Sequence, residues 1–117
     1  MIFFSLKHRT SRILGRAYWK SQTASIFIAN LLDYKTDPWT GKVRFRSFIR
    51  VFWETYFHEY LHLFLKIHEG KYYNSCKTII DPLSQRLTWF MMEDENFNRF
   101  APYFEDVIVE NEQSHTP

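Results

Sequence analysis

Phe48, Val51, Phe52, Thr55, His58 and His62 recur at the short spacings of one helical face, which predicts a long helix over 48–66 with Ser47 as its cap. Gly70 marks its latest end. Upstream, Leu14, Ala17 and Tyr18 fall near one face of a predicted helix over 10–22, which Gly15 interrupts. The apolar run 24–32 fits either an extension of that helix or a buried strand. Asp37-Pro38-Trp39-Thr40-Gly41 has the composition of a turn, and Lys42-Val43-Arg44-Phe45-Arg46 alternates charged and apolar residues as a half-buried strand does. Residues 34–35 and 43–46 therefore read as a hairpin. After the long helix, one helix is predicted from near Tyr72 to just before Pro82, and another from Leu83 to Met91 and Met92. Ala101-Pro102 reads as a break before a last short helix over 103–109, and residues 110–117 as a polar, frayed and flexible tail. The chain is read as one α+β domain over 1–117, mostly helical with a short sheet or hairpin.

Composition narrows the class. Hydrophobic residues make up 45% of 117, with only Gly 3 and Pro 4, which suits one packed core rather than a disordered chain. Twelve Phe, seven Tyr and four Trp are expected mainly to fill that core, with some rings available to a groove or partner. Cys76 has no second cysteine to pair with, so it reads as a buried thiol in a reducing, cytoplasmic setting. No uncharged apolar run reaches the length of a membrane span. Charge is uneven: residues 1–50 hold ten Lys/Arg against two Asp, and residues 51–117 hold five Lys/Arg against eleven Asp/Glu. Mutual attraction of the two halves within one fold is the favoured reading. A basic face for nucleic acid or acidic lipid is the rival, and no base-reading motif accompanies it.

His58-Glu59-Tyr60-Leu61-His62 carries chemistry. Residues four apart on a helix lie one above the other, so both imidazoles can reach one ion. Zinc accepts neutral imidazole nitrogen and keeps a position open for water. Glu59 follows the first histidine by one residue, rotated toward that open side. There it serves as general base and then as general acid toward a leaving amine.

His68 follows His62 by six residues, giving H-E-x-x-H-x-x-x-x-x-H. This pattern resembles the long zinc signature of several zincin families, although Leu65 stands where metzincins place a glycine. It is more similar to the WLM and SprT-like metallopeptidases, with Tyr72-Tyr73 and Pro82 following, over roughly residues 42–82. The length and order of elements also resemble the minigluzincins, minimal stand-alone zincins. The resemblance implies a zinc peptidase with His58, His62 and His68 as ligands and a peptide or protein substrate. It also implies a small sheet whose edge strand, with 43–46 as candidate, lies beside the zinc helix and pairs with substrate.

Other residues enter as weaker candidates. Tyr72, Tyr73 or Tyr103 can donate to an oxyanion, Met91 and Met92 can underlie the site, and His8 and His115 read as exposed. The third ligand stays open. An unbroken helix carries His68 well away from His62, so the chain must turn within 63–67; otherwise Glu93, Glu95 or Glu105 supplies the ligand from a later helix. The rival function is an inactive or structural zinc-binding module contacting nucleic acid or a protein partner. A third reading is a latent enzyme whose tail covers the cleft.

Overall fold

The computed structural model describes residues 2–5, 13–18, 20–65 and 76–114. Within them lie a three-stranded sheet and a set of helices packed on it, an α+β arrangement. Strands β1 (Ile2–Ser5), β2 (Gly15–Tyr18) and β3 (Thr23–Phe27) stand in the order β1-β3-β2. β3 pairs parallel with β1 and antiparallel with β2. In β3, Ala24 and Ile26 are buried while Thr23 and Ser25 are half-buried, the alternation of a strand with one face on the core.

The expected helix over 10–22 is not formed where the chain is described: β2 and the turn into β3 replace it. Gly15 is a poor helix former, and in the hairpin Gly15 and Ala17 share a face, as strand periodicity requires. Gln22 closes the turn with φ 54, a left-handed conformation.

The ambiguous run 24–32 is both things at once. It is strand to Phe27 and then helix α1 (Ile28–Tyr34), buried almost throughout. Such a run has no polar face from which periodicity can be read. Phe27 N–H donates to the Leu14 carbonyl at 2.9 Å, and Asn30 Nδ2 donates to the Ile13 carbonyl at 3.0 Å. These bonds tie the chain entering β2 to the start of α1.

The turn at 37–41 forms as expected. Asp37 Oδ1 accepts the Trp39 N–H at 2.8 Å, and Gly41 takes φ 71. The expected strand 43–46 does not form. Thr36 and Val43 make one isolated bridge, and helix α2 begins at Phe45 and runs to Leu65. Ser47 lies inside this helix rather than at its cap. Arg44 stands at the boundary, its carbonyl accepting the Phe48 N–H at 2.8 Å.

A single π-helical turn, Cys76–Ile80, leads into α3 (Asp81–Met91), and α4 spans Asp94–Ser114. Pro82 thus opens a helix instead of stopping one, because the first turn needs no proline N–H. Pro102 sits inside α4 without ending it, so the predicted break is absent and the helix runs on to Ser114. Phe100, Ala101 and Phe104 on that helix pack on the core, and this tertiary anchoring offsets the lost bond.

The core joins Ile26, Ile28, Leu31, Leu32, Phe48, Ile49, Val51, Phe52 and Phe104. Each such side chain contributes roughly 1.5–3 kcal/mol on burial. Phe104 meets Phe52 edge-on at 4.7 Å and Phe48 at 6.0 Å, so α4 is clamped to α2 by rings. A smaller cluster, Leu61 with Ile80, fixes the π turn against the far end of α2. Among the described residues, no helix is long and apolar enough to cross a membrane.

Candidate metal centre

α2 carries the histidines on a turn that is tightly packed. Glu59, Leu61 and His62 are buried, and His62 retains only 2% exposure. A buried imidazole needs a polar partner. The Nε2 atoms of His58 and His62 face each other at 3.0 Å. The i,i+4 spacing has therefore brought both rings to one point, as the sequence predicted.

The other nitrogen of His58 is held from α3. Its Nδ1–H donates to Asp81 Oδ1 at 3.1 Å. That bond sets the ring's tautomer and turns the Nε2 lone pair toward His62. Asp81 is a partner of the candidate site that sequence reading passes over. Its signal was Asp-Pro at a helix start, visible only once Pro82 is read as opening α3 rather than ending the helix before it. Two imidazole nitrogens on one tetrahedral zinc, each about 2.0–2.1 Å from it, stand about 3.3 Å apart. The observed 3.0 Å, with His62 Nε2–H donating to His58 Nε2, lies near that spacing, and a carboxylate stands behind His58 as in many metal sites; two imidazoles alone do not complete a tetrahedral site.

Glu59, the next residue, packs its Cγ against β2. A Cβ built on Gly15 lies 3.1 Å from Glu59 Cγ, so strand and side chain are in close contact. A cleft of about 550 Å³ opens along α2 here. Arg50, Val51, Glu54, Thr55, His58 and Glu59 form its floor. Ile13, Leu14 and Gly15 make one wall, Asp81, Ser84 and Gln85 the other, and Tyr34 and Lys35 also line it. His58 and Glu59 thus line the same groove.

The remaining candidates separate. α3 runs antiparallel to α2: Asp81 meets His58, while the Met92 carbonyl accepts from Arg46 Nη2 at 3.4 Å. Arg46 precedes His58 by twelve residues, about 18 Å along the helix. Met91 and Met92 therefore do not underlie the histidines, and Glu93 and Glu95, exposed at the start of α4, stand at the wrong end of α2 to complete their site. Glu105 is exposed on α4, outside the cleft lining. Tyr103 lines a separate aromatic hollow with Phe4, Phe52, Trp53 and Phe100. The edge strand beside α2 is β2, not 43–46. His8, His68, Tyr72, Tyr73 and His115 lie outside the described residues. α2 stays helical through Leu65, so a turn that delivers His68 can begin only beyond that residue. Among the described residues, no group of three or more His, Cys, Asp or Glu is placed to hold a metal ion.

No protein-family model, curated protein or solved structure matches the chain.

Proposed function

We propose that this chain is a zinc-dependent metallopeptidase of zincin type, hydrolysing peptide bonds in its α2 cleft. The observation that carries the reading is the His58–His62 pair, with Nε2 atoms 3.0 Å apart and Asp81 behind His58, beside Glu59 at an open groove. His58 and His62 hold the ion, and His68, carried over from the family resemblance, is the proposed third ligand. Zinc, when bound, supplies Lewis-acid polarisation of the scissile carbonyl and of the attacking water.

The chain's own residues do the rest. Asp81 keeps the His58 ring in place. Glu59 takes a proton from the water and passes it to the leaving nitrogen as the amide C–N bond breaks. β2 is an edge strand whose outer side carries no partner strand among the described residues. An extended peptide lying in the groove can pair with that edge through main-chain hydrogen bonds.

Metal content and turnover test the reading together. Native protein is expected to retain about one zinc per chain after dialysis, and His58→Ala/His62→Ala none. Glu59→Gln is expected to keep zinc and lose at least about a hundredfold in peptidase rate. Stoichiometric zinc without cleavage of any peptide in a random library would leave a structural or inactive zinc module instead. Equal metal content in the native and double-histidine proteins removes the site altogether.

A further inference from the structure

Gly15 brings the edge strand into close contact with the helix of the proposed site. A Cβ at this position meets Thr55 Cγ2 at 2.9 Å, Glu59 Cγ at 3.1 Å and the Ser25 carbonyl oxygen at 3.2 Å. Its backbone is not left-handed, so conformational freedom does not explain the glycine. The missing volume does.

The three neighbours differ in how readily they yield. Ser25 O belongs to the backbone of β3, the central strand, paired on both sides. The Thr55 methyl is fixed because the hydroxyl on the same Cβ donates to the Val51 carbonyl at 2.8 Å, and rotating χ1 sacrifices that bond. Glu59 Cγ sits on a longer chain with further rotatable bonds. Added volume at position 15 therefore displaces Glu59 first.

We infer that Gly15 is a positioning residue: by lacking a side chain, it lets β2 seat against α2 and keeps the Glu59 side chain in the place it occupies beside His58 in the cleft. The inference rests on the peptidase reading of Glu59 for its catalytic consequence, but the placement of Glu59 is measurable without turnover. Ala17, two residues on, continues the same close-packed face toward the sheet's buried Ala24.

The test is Gly15→Ala, alone and with Thr55→Ser. Serine removes the 2.9 Å methyl conflict and keeps a hydroxyl for the Val51 bond, but leaves the conflict with Glu59. Gly15→Ala is expected to bind zinc within about twofold of native, since the three atoms nearest an added Cβ belong to Thr55, Glu59 and Ser25 rather than to a histidine, and to lose about tenfold to a hundredfold in kcat. Thr55→Ser should recover part of the thermal midpoint lost in Gly15→Ala, the contacts with Glu59 and the Ser25 carbonyl remaining, without restoring kcat. In a Glu59→Gln background, Gly15→Ala should cost nothing further, because its effect runs through the carboxylate. The Glu59 carboxyl ¹³C resonance should move in Gly15→Ala and stay moved in Gly15→Ala/Thr55→Ser. An unmoved resonance overturns the inference whether or not the protein is a peptidase. Undiminished kcat, or full recovery of kcat by Thr55→Ser, overturns it too. A native protein that cleaves no peptide while the resonance moves as stated overturns the peptidase reading alone.

Discussion

Asp81→Ala removes the carboxylate that orients His58 and should weaken zinc binding without touching a ligand. The structure sets the magnitude. The hydrogen bond is 3.1 Å long, the His58 side chain is 25% exposed and that of Asp81 49%. Losing a carboxylate behind a metal-bound histidine typically costs 10–100-fold in affinity, roughly 1.4–2.7 kcal/mol. The half-exposed aspartate is partly screened, so about tenfold is the expected end of that range. Asp81 also stands in the first turn of α3, where a negative charge offsets the helix dipole by about 0.3–1 kcal/mol. Stability will therefore fall in Asp81→Ala even without metal. The assay must read affinity for folded protein, by competition with a chromophoric chelator well below the melting range. Asp81→Asn keeps an oxygen acceptor for the His58 Nδ1–H but loses the charge, and should fall between native and alanine. Native zinc affinity in Asp81→Ala would refute the orienting role. An affinity loss as large in Asp81→Asn as in Asp81→Ala would assign the effect to charge rather than ring placement.

The remaining predictions concern the third ligand and the acid response. His68→Ala should lower zinc affinity sharply while Glu93→Ala and Glu95→Ala leave it unchanged, read by the same chelator competition; the reverse pattern would place the site's third ligand on α4. The Asp37 carboxyl is held below the ordinary aspartate range, chiefly by the Trp39 N–H, with Thr40 N–H and Arg44 assisting. Its folded pKa lies below its unfolded one, so its contribution to stability is complete above about pH 4 and is lost as pH falls below that. Thermal melts from pH 6 to pH 2.5 should show a shallower acid limb in Asp37→Asn, and identical limbs would exclude this turn from acid unfolding.

What could be read in the sequence was local. The helix through His58 and His62 follows from recurrent apolar positions and unbroken good helix formers, and the convergence of the two rings follows from i,i+4 spacing alone. The turn at Asp37 follows from a side chain that bonds backbone two residues on. What could not be read depended on contacts distant in sequence. Gly15 and Ala17 are strand because β3 offers their backbone a ladder and α2 a close-packed face, whereas their helical spacing had nothing comparable to pack on. Phe45 turns helical despite its alternating neighbours because its ring packs on Phe97 of α4, 52 residues later. Pro102 is tolerated because Phe100 and Phe104 anchor α4 on both sides of it. The division recurs inside the site. The sequence by itself determined that the His58 and His62 rings could meet, since they share one helix at i,i+4 spacing. Tertiary structure alone decided that Asp81 stands behind His58 and Gly15 against Glu59. Those partners sit 23 and 44 residues from the groups they meet, and only the packing of α3 and β2 on α2 brings them together.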